Sequence, residues 1–148
     1  MSCKCKQVII VTKDGPKAIG PYSLGVIARE LIFTSGQAGL NPQTGELVPG
    51  GIEKETRQTI KNLDIILKAG GSSLKNVVKT TVYLKSMADF AAMNAIYAEY
   101  FGDAPPARTT IQAAALPKNA LVEIDAIAVR CSGDCDDDDE DCGCGSKG

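Results

Sequence analysis

An arginine at the start of a β-rich run is the first residue in this sequence that could do chemistry. Arg108 follows Pro105 and Pro106, which fix the direction in which the chain enters the run. In a strand, Arg108 shares one face with Thr110, while Thr109 lies on the other face. A planar guanidinium held in this way can bind a carboxylate through two parallel hydrogen bonds. The pattern therefore predicts a carboxylate clamp, with a structural ion pair to a neighbouring Asp or Glu as the alternative.

The composition narrows the remaining chemistry. The chain has no histidine, which excludes His-based catalytic triads and removes the commonest metal ligand. It has no phosphate-binding loop and no paired-glycine dinucleotide motif. All six cysteines lie near the ends, so residues 6–130 contain no thiol nucleophile and no disulfide. A carboxylate is then the natural group to handle protons.

Charge is distributed unevenly along the chain, which has 16 basic and 18 acidic residues. Seven of the acids and one of the bases fall in the last eighteen residues, which leaves 15 bases and 11 acids in residues 1–130. We therefore expect a mildly basic domain over residues 1–130 and a flexible, Cys/Asp-rich acidic tail over residues 131–148. The alternatives for the tail are metal binding or cystine formation by its four cysteines, Cys131, Cys135, Cys142 and Cys144.

The sequence gives no sign of a membrane protein. No stretch approaches the apolar length of a membrane helix, and the apolar run at residues 8–11 is too short for a signal peptide. We therefore expect an intracellular protein without a membrane partner. The cytoplasm is the expected compartment, and the mitochondrion is the alternative.

Hydrophobic periodicity predicts the elements that must position Arg108. Ile52–Ala69 has an apolar stripe at helical spacing, and Ser86–Asp89 fits a capping box that opens a helix running to about Phe101. Strands are predicted at Gln7–Val11, Leu24–Arg29, Leu31–Thr34, Val77–Leu84, the run after Pro106, and Leu121–Arg130. This order of elements predicts an α+β fold with one sheet and one helical layer.

The last predicted strand carries information about assembly. Both of its faces are largely apolar: one presents Val122, Ile124, Ala126 and Ala128, and the other presents Leu121, Ile127 and Val129. The two predicted helices cover only one face of the sheet. We therefore expect the other face to pack against further copies of the chain.

Six motifs, in order along the chain, resemble one known family. They are Ile19–Ser23, Phe33–Gln37, Asn76–Leu84, Met93–Tyr97, Pro106–Thr110 and Val122–Ala128. They are similar to the RidA subgroup of the reactive intermediate deaminase (Rid) family, also known as the YjgF family and formerly described as L-PSP endoribonucleases. The resemblance runs over about residues 17–130. Each motif alone is weak, but six in the same order are specific.

The resemblance implies both a fold and an activity. The implied fold is a chorismate-mutase-like α+β fold, with one mixed sheet and two helices packed on one face. The implied assembly is a homotrimer with a central β-barrel and an active site in each cleft between subunits. The implied activity is the hydrolysis of reactive enamines and imines, such as 2-aminoacrylate, to 2-keto acids and ammonia, without a metal or an organic cofactor.

The resemblance also implies roles for individual residues. Arg108 would bind the substrate carboxylate, and Glu123 would orient or activate the attacking water. An arginine beside Glu123 would favour its ionised form. The pocket would be lined by Tyr22, Ser35, Gly36 and Asn94, with Thr110 contributing its backbone and side chain. Many RidA proteins have cysteine where Thr110 stands, so a reactive thiol at that position is excluded here.

The sequence leaves two other classes of function as alternatives. One is an RNA-binding or endoribonuclease-type translation inhibitor, but the basic residues are scattered and the acidic tail would repel phosphates. The other is a non-catalytic trimer that binds a small ligand in its clefts, as a chaperone-like module would. The expected partners are therefore further copies of the chain and a small imino or keto acid, rather than nucleic acid.

Overall fold

The computed structural model describes residues 7–131 as a mixed β-sheet with two helices, α1 (Gly51–Ala69) and α2 (Phe90–Phe101). The strands are β1 (Val8–Ile10), β2 (Gly25–Ala28), β3 (Leu31–Thr34), β4 (Gln37–Ala38), β5 (Val77–Leu84), β6 (Ala107–Gln112) and β7 (Val122–Val129). Short 3₁₀ turns occupy Leu74–Asn76, Met87–Asp89 and Pro117–Asn119. The predicted α+β class is confirmed. Within these residues, neither helix is apolar enough over sufficient length to cross a bilayer.

The order of the strands determines where the candidate site residues lie. The sheet runs β1-β2-β3-β7-β5-β6, and β4 forms a further pair with β7. Every pair is antiparallel except β5 and β6, which are parallel and are joined through α2. A parallel pair requires such a crossover, so α2 is fixed over this end of the sheet. Arg108 on the edge strand β6 lies directly beside Thr80 of β5.

The core lies between the sheet and the two helices. The apolar stripe predicted for the first helix is buried against the alternate residues of β5 and β7 that face the helices. Residues at the centre of this core include Ile60, Leu63, Ile66, Leu67, Val82, Leu84, Val122 and Ile124. The alternating burial along β7 confirms the predicted division of this strand into a core face and an opposite face.

The structure differs from the predicted elements at two places near the site. β4 has only Gln37 and Ala38, which is too short to show an alternating pattern, and the sequence does not predict it. Before α2, the hydroxyl of Ser86 accepts a hydrogen bond from the backbone N–H of Ala88 and not from that of Asp89. Ser86 therefore caps a 3₁₀ turn that precedes α2, in place of the predicted capping box.

The face of the sheet that points away from the helices carries exposed apolar side chains. Leu31 and Phe33 of β3, Val129 of β7 and Ile111 of β6 are each more than a third exposed in the single chain. Leu31 pairs with Val129 across the two strands, so these side chains form a continuous surface. This is the surface on which the sequence predicts further copies to pack.

Candidate active site

Glu123 lies on β7, directly opposite Ala38 of β4. The backbone of Gly36 approaches its carboxylate so closely that a Cβ at position 36 would collide with the carboxylate oxygen Oε1. Any larger residue at this position would therefore displace the Glu123 carboxylate. The short strand β4 and the residues before it therefore form one wall around the Glu123 carboxylate.

The surroundings of Glu123 raise the pKa of its carboxyl group. The main cause is burial, which penalises the charged form, and the second is the nearby charge of Asp125. Asp125 is two residues along the same face of β7, and its Oδ2 accepts a hydrogen bond of 3.3 Å from the hydroxyl of Tyr83. A carboxyl group with a raised pKa is a stronger base than an ordinary glutamate.

A cavity of about 270 Å³ lies in front of Glu123, and we call it the glutamate pocket. Three of the predicted site residues, Tyr22, Ser35 and Gly36, line it together with Glu123. The hydroxyl of Ser35 donates a hydrogen bond of 2.6 Å to the carbonyl of Ser23, which ties the two loops of the pocket together. The remaining lining residues include Lys17, Ile19, Leu24, Leu40 and Lys118.

A second cavity, of about 520 Å³, surrounds Arg108, and we call it the arginine pocket. Asn94, Tyr97, Phe101 and the prolines at 105–106 line it. The guanidinium carbon of Arg108 lies 4.7 Å from the ring centroid of Tyr97 and 5.7 Å from that of Phe90. These cation–π contacts hold the guanidinium in place without neutralising its charge.

The side chain of Arg108 and two polar groups near it have no ion-pair or hydrogen-bond partner within the described residues. Within residues 7–131, Arg108 forms no salt bridge, so the alternative of a structural ion pair finds no support in the single chain. In the same part of the chain, Oδ1 of Asn94 and Oγ1 of Thr110 are inaccessible and have no hydrogen-bond partner. Polar atoms of this kind are normally satisfied, so they point to a ligand or a partner that pairs with them.

One chain does not bring Arg108 and Glu123 together. Arg108 lies beside Thr80, whose side chain points into the core, whereas Glu123 lies opposite Tyr83 on the other face of the sheet. Two strand spacings and three residues along β5 separate their Cα atoms by about 14 Å. The predicted lowering of the pKa of Glu123 by an adjacent arginine is therefore not found within the chain, where burial raises this pKa.

Sequence reasoning missed two residues of the arginine pocket. The Met and aromatic residues of the second predicted helix, including Phe90 and Tyr97, form a stripe that is typical of a core, so the sequence predicts a core role for both. Tyr97 is indeed buried, but its hydroxyl is 2.7 Å from Oγ1 of Thr80 and its ring faces Arg108. The available signal was the spacing of Asn94 and Tyr97, because residues three apart on a helix share one side.

Most of the cysteines of the predicted tail lie outside the described residues. Of the four, Cys131 alone falls within residues 7–131, and its sulfur accepts a hydrogen bond of 3.3 Å from the amide of Asn76. No cluster of three metal-ligating side chains occurs in the described part of the chain. The tail, including its possible metal ligands, remains a prediction.

Comparison with known proteins places the chain in a family. A family model described as Endoribonuclease L-PSP matches residues 12–130. The curated 2-iminobutanoate/2-iminopropanoate deaminase of Mus musculus is 52% identical over 130 residues, which cover 88% of this chain and 96% of the mouse protein.

Solved structures of relatives have the same fold. A Rid-family protein of Yersinia pestis, YyfA, is 45% identical with a TM-score of 0.80, and the match covers 84% of this chain and 99% of that one. Escherichia coli TdcF with bound serine is 40% identical with a TM-score of 0.80, over the same shares of the two chains. The resemblance seen in the sequence is therefore confirmed, and the chain belongs to the Rid family, whose family model is described as Endoribonuclease L-PSP.

Proposed function

We propose that this protein hydrolyses reactive enamines and imines of the 2-aminoacrylate type to 2-keto acids and ammonia. The observation that carries the proposal is the pair of charged groups in separate pockets. Glu123 is a half-buried carboxyl group with a raised pKa. Arg108 is oriented by aromatic rings and lacks an acidic partner in the described chain. Relatives of about 50% identity, including the mouse and human proteins, are named 2-iminobutanoate/2-iminopropanoate deaminases.

The two pockets would form one site only when two copies of the chain meet. Arg108 and Glu123 lie on opposite faces of one sheet, so the glutamate pocket of one subunit must face the arginine pocket of another. The apolar face formed by Leu31, Phe33 and Val129 supplies surface for this assembly. We propose a homotrimer, in which three sheets form a central barrel and each cleft between subunits holds one composite site.

In the composite site, Arg108 would bind the substrate carboxylate with two parallel, charge-assisted hydrogen bonds. The hydroxyl of Thr110, which has no partner in the described chain and can donate to a carboxylate, and the amide N–H groups of Asn94 would complete this end of the site. E. coli TdcF is described with bound serine, a small molecule with the same carboxylate. From the other subunit, Tyr22, Ser35 and Gly36 would surround the reacting carbon.

Glu123 would handle the protons of the reaction. The oxygen of water forms a bond to the imine carbon, and the proton of that water passes through Glu123 to the nitrogen. A second proton then moves from the new hydroxyl to the nitrogen through the same carboxylate. The C–N bond breaks, ammonia leaves and the carbonyl of the 2-keto acid forms. An imine carbon is already electrophilic, so orientation of the water and a modest base are sufficient.

An imine-trapping assay tests the proposal. An amino-acid oxidase converts leucine to its imine, semicarbazide captures the imine, and the absorbance of the product is followed with and without the protein. We expect catalytic amounts of the protein to lower the yield of the captured imine and to accelerate ammonia release. Protection that requires stoichiometric protein would identify a ligand-binding module without turnover.

A further inference from the structure

The wall of the glutamate pocket is a short segment with little regular structure. We call residues 35–40 the pocket wall. Gly36 packs against the carboxylate of Glu123, and Ala38 lies opposite Glu123 in the strand pair. Because this segment keeps water from one side of the carboxylate, its position determines how strongly Glu123 is buried.

On one side, the pocket wall pairs with β7 through Gln37 and Ala38. On the other side, it packs against α1. Gly39 lies so close to α1 that a Cβ at this position would be 2.7 Å from the Cα of Glu55. Two turns further along the same helix, Asn62 is fully buried and donates two hydrogen bonds to the pocket wall. Its Nδ2 lies 3.0 Å from the carbonyl oxygen of Ala38 and 2.9 Å from that of Leu40.

The orientation of the Asn62 amide is fixed as well. Its Oδ1 accepts a hydrogen bond of 2.9 Å from Nε2 of Gln58, one turn earlier on α1. The amide therefore presents both of its N–H groups to the pocket wall and its oxygen to Gln58. A leucine at position 62 would remove both hydrogen bonds to the pocket wall, although the carbonyl of Ala38 would keep a hydrogen bond of 2.8 Å from the backbone N–H of Leu40. An aspartate would place a carboxylate oxygen against the two carbonyl groups.

We propose that Asn62 is a positioning residue for Glu123, and that its amide clamps the pocket wall against the carboxylate and keeps water out. The expected effect of Asn62 on turnover rests on the proposed function. Its physical content, the burial of Glu123, does not depend on any activity. Asn62 touches neither Glu123 nor the cavity in front of it, so it acts only through the backbone of Ala38 and Leu40.

The direct test is the titration of the Glu123 carboxyl group by ¹³C NMR in the full-length protein. Asn62→Leu removes both hydrogen bonds to the pocket wall. Thr59→Val is the matched control, because Thr59 is also fully buried on α1 and its hydroxyl has no partner within the described residues. Within the chain, the other titratable groups around Glu123 are Asp125, Tyr83, Tyr22, Lys17 and Lys118, and the proposed trimer adds Arg108 of a neighbouring subunit. Neither substitution changes any of them.

We expect Asn62→Leu to lower the pKa of Glu123 towards its ordinary range, and Thr59→Val to leave it at the wild-type value. With the imine substrate, Asn62→Leu should reduce kcat/KM by about 10- to 100-fold, the usual cost of a misplaced catalytic group. The Kd for a 2-keto acid should change by less than about twofold, because Arg108 and not Glu123 is assigned to its carboxylate.

Gln58→Met keeps the test decisive if Asn62→Leu does not fold. Gln58 is partly exposed, so its loss removes the group that orients the Asn62 amide without exposing the core. We expect a smaller shift of the Glu123 pKa in the same direction. An unchanged Glu123 pKa in the folded Asn62→Leu variant, or in Gln58→Met where Asn62→Leu is unfolded, would overturn the proposal. Wild-type protein without imine turnover would instead contradict the proposed function and leave the titration valid.

Discussion

The two pockets of this chain hold their charged residues in different ways. Arg108 stands on a regular strand beside a regular helix, and aromatic rings orient it. Glu123 also stands on a strand, but its pocket is closed by irregular segments that side-chain hydrogen bonds from Ser35 and Asn62 hold in place.

The difference follows from what each charge needs. A guanidinium keeps its charge in almost any environment, so it needs orientation and freedom from an acidic partner. A carboxyl group becomes a useful base only when its pKa is raised, and this requires a wall that excludes water. The arginine pocket is therefore open and the glutamate pocket is shaped by close backbone contact.

The largest effect is expected where the base itself is removed. Glu123→Ala should lower kcat/KM by about 10²- to 10⁴-fold, the range for loss of a general base. Binding of 2-ketobutyrate should not weaken, because the substitution removes a negative charge and leaves Arg108 intact. Glu30→Ala, in an exposed turn, serves as the control. Equal losses of binding and turnover would show that Glu123 acts chiefly by positioning Arg108.

Arg108→Lys should have the next largest effect. Lysine keeps the charge but loses the planar fork, so we expect a loss of about 30- to 150-fold in kcat/KM. The melting temperature should stay close to that of the wild type. Arg57→Lys is the matched control, because Arg57 forms a surface ion pair with Glu99. If Arg108→Lys lowered stability and spared turnover, its role would be structural.

The dependence of kcat/KM on pH should show a smaller effect that is specific to the glutamate pocket. Glu123 must be ionised to accept a proton, so kcat/KM should fall as the pH falls through its raised pKa. Asp125 contributes to that raised pKa. Asp125→Asn should therefore move the acid limb of the profile to lower pH, whereas Asp64→Asn, which removes a carboxylate paired with Lys68 on α1, should leave it unchanged. A shift to higher pH would contradict the assignment of this limb to Glu123.

Much of the fold could be predicted because its signals are local. The apolar stripe of α1 and the alternation along β5 and β7 each require only one segment of sequence. The shared face of Arg108 and Thr110 follows from the same alternation. β4 could not be predicted, because two residues carry no pattern and the pairing with β7 spans more than 80 positions.

The relation between the pockets depends on non-local pairing. Whether Arg108 and Glu123 share a face depends on the registers of β6 with β5 and of β5 with β7, and no local pattern contains these registers. The raised pKa of Glu123 depends in turn on burial by Gly36, which approaches from a distant part of the chain. Asn62 could not be predicted either, because an asparagine on a helix has the same sequence signal whether its amide is buried or solvated.

The central claim, that each active site combines pockets from two subunits, is tested most directly by mixing two inactive variants. Glu123→Ala and Arg108→Ala subunits are co-expressed, and mixed trimers are assayed for imine hydrolysis. In a cyclic trimer, every mixed assembly contains one cleft with both residues intact, so random mixing should restore about a quarter of wild-type activity. If the mixture stayed as inactive as the separate variants, although mass spectrometry showed mixed trimers, the composite site would be contradicted.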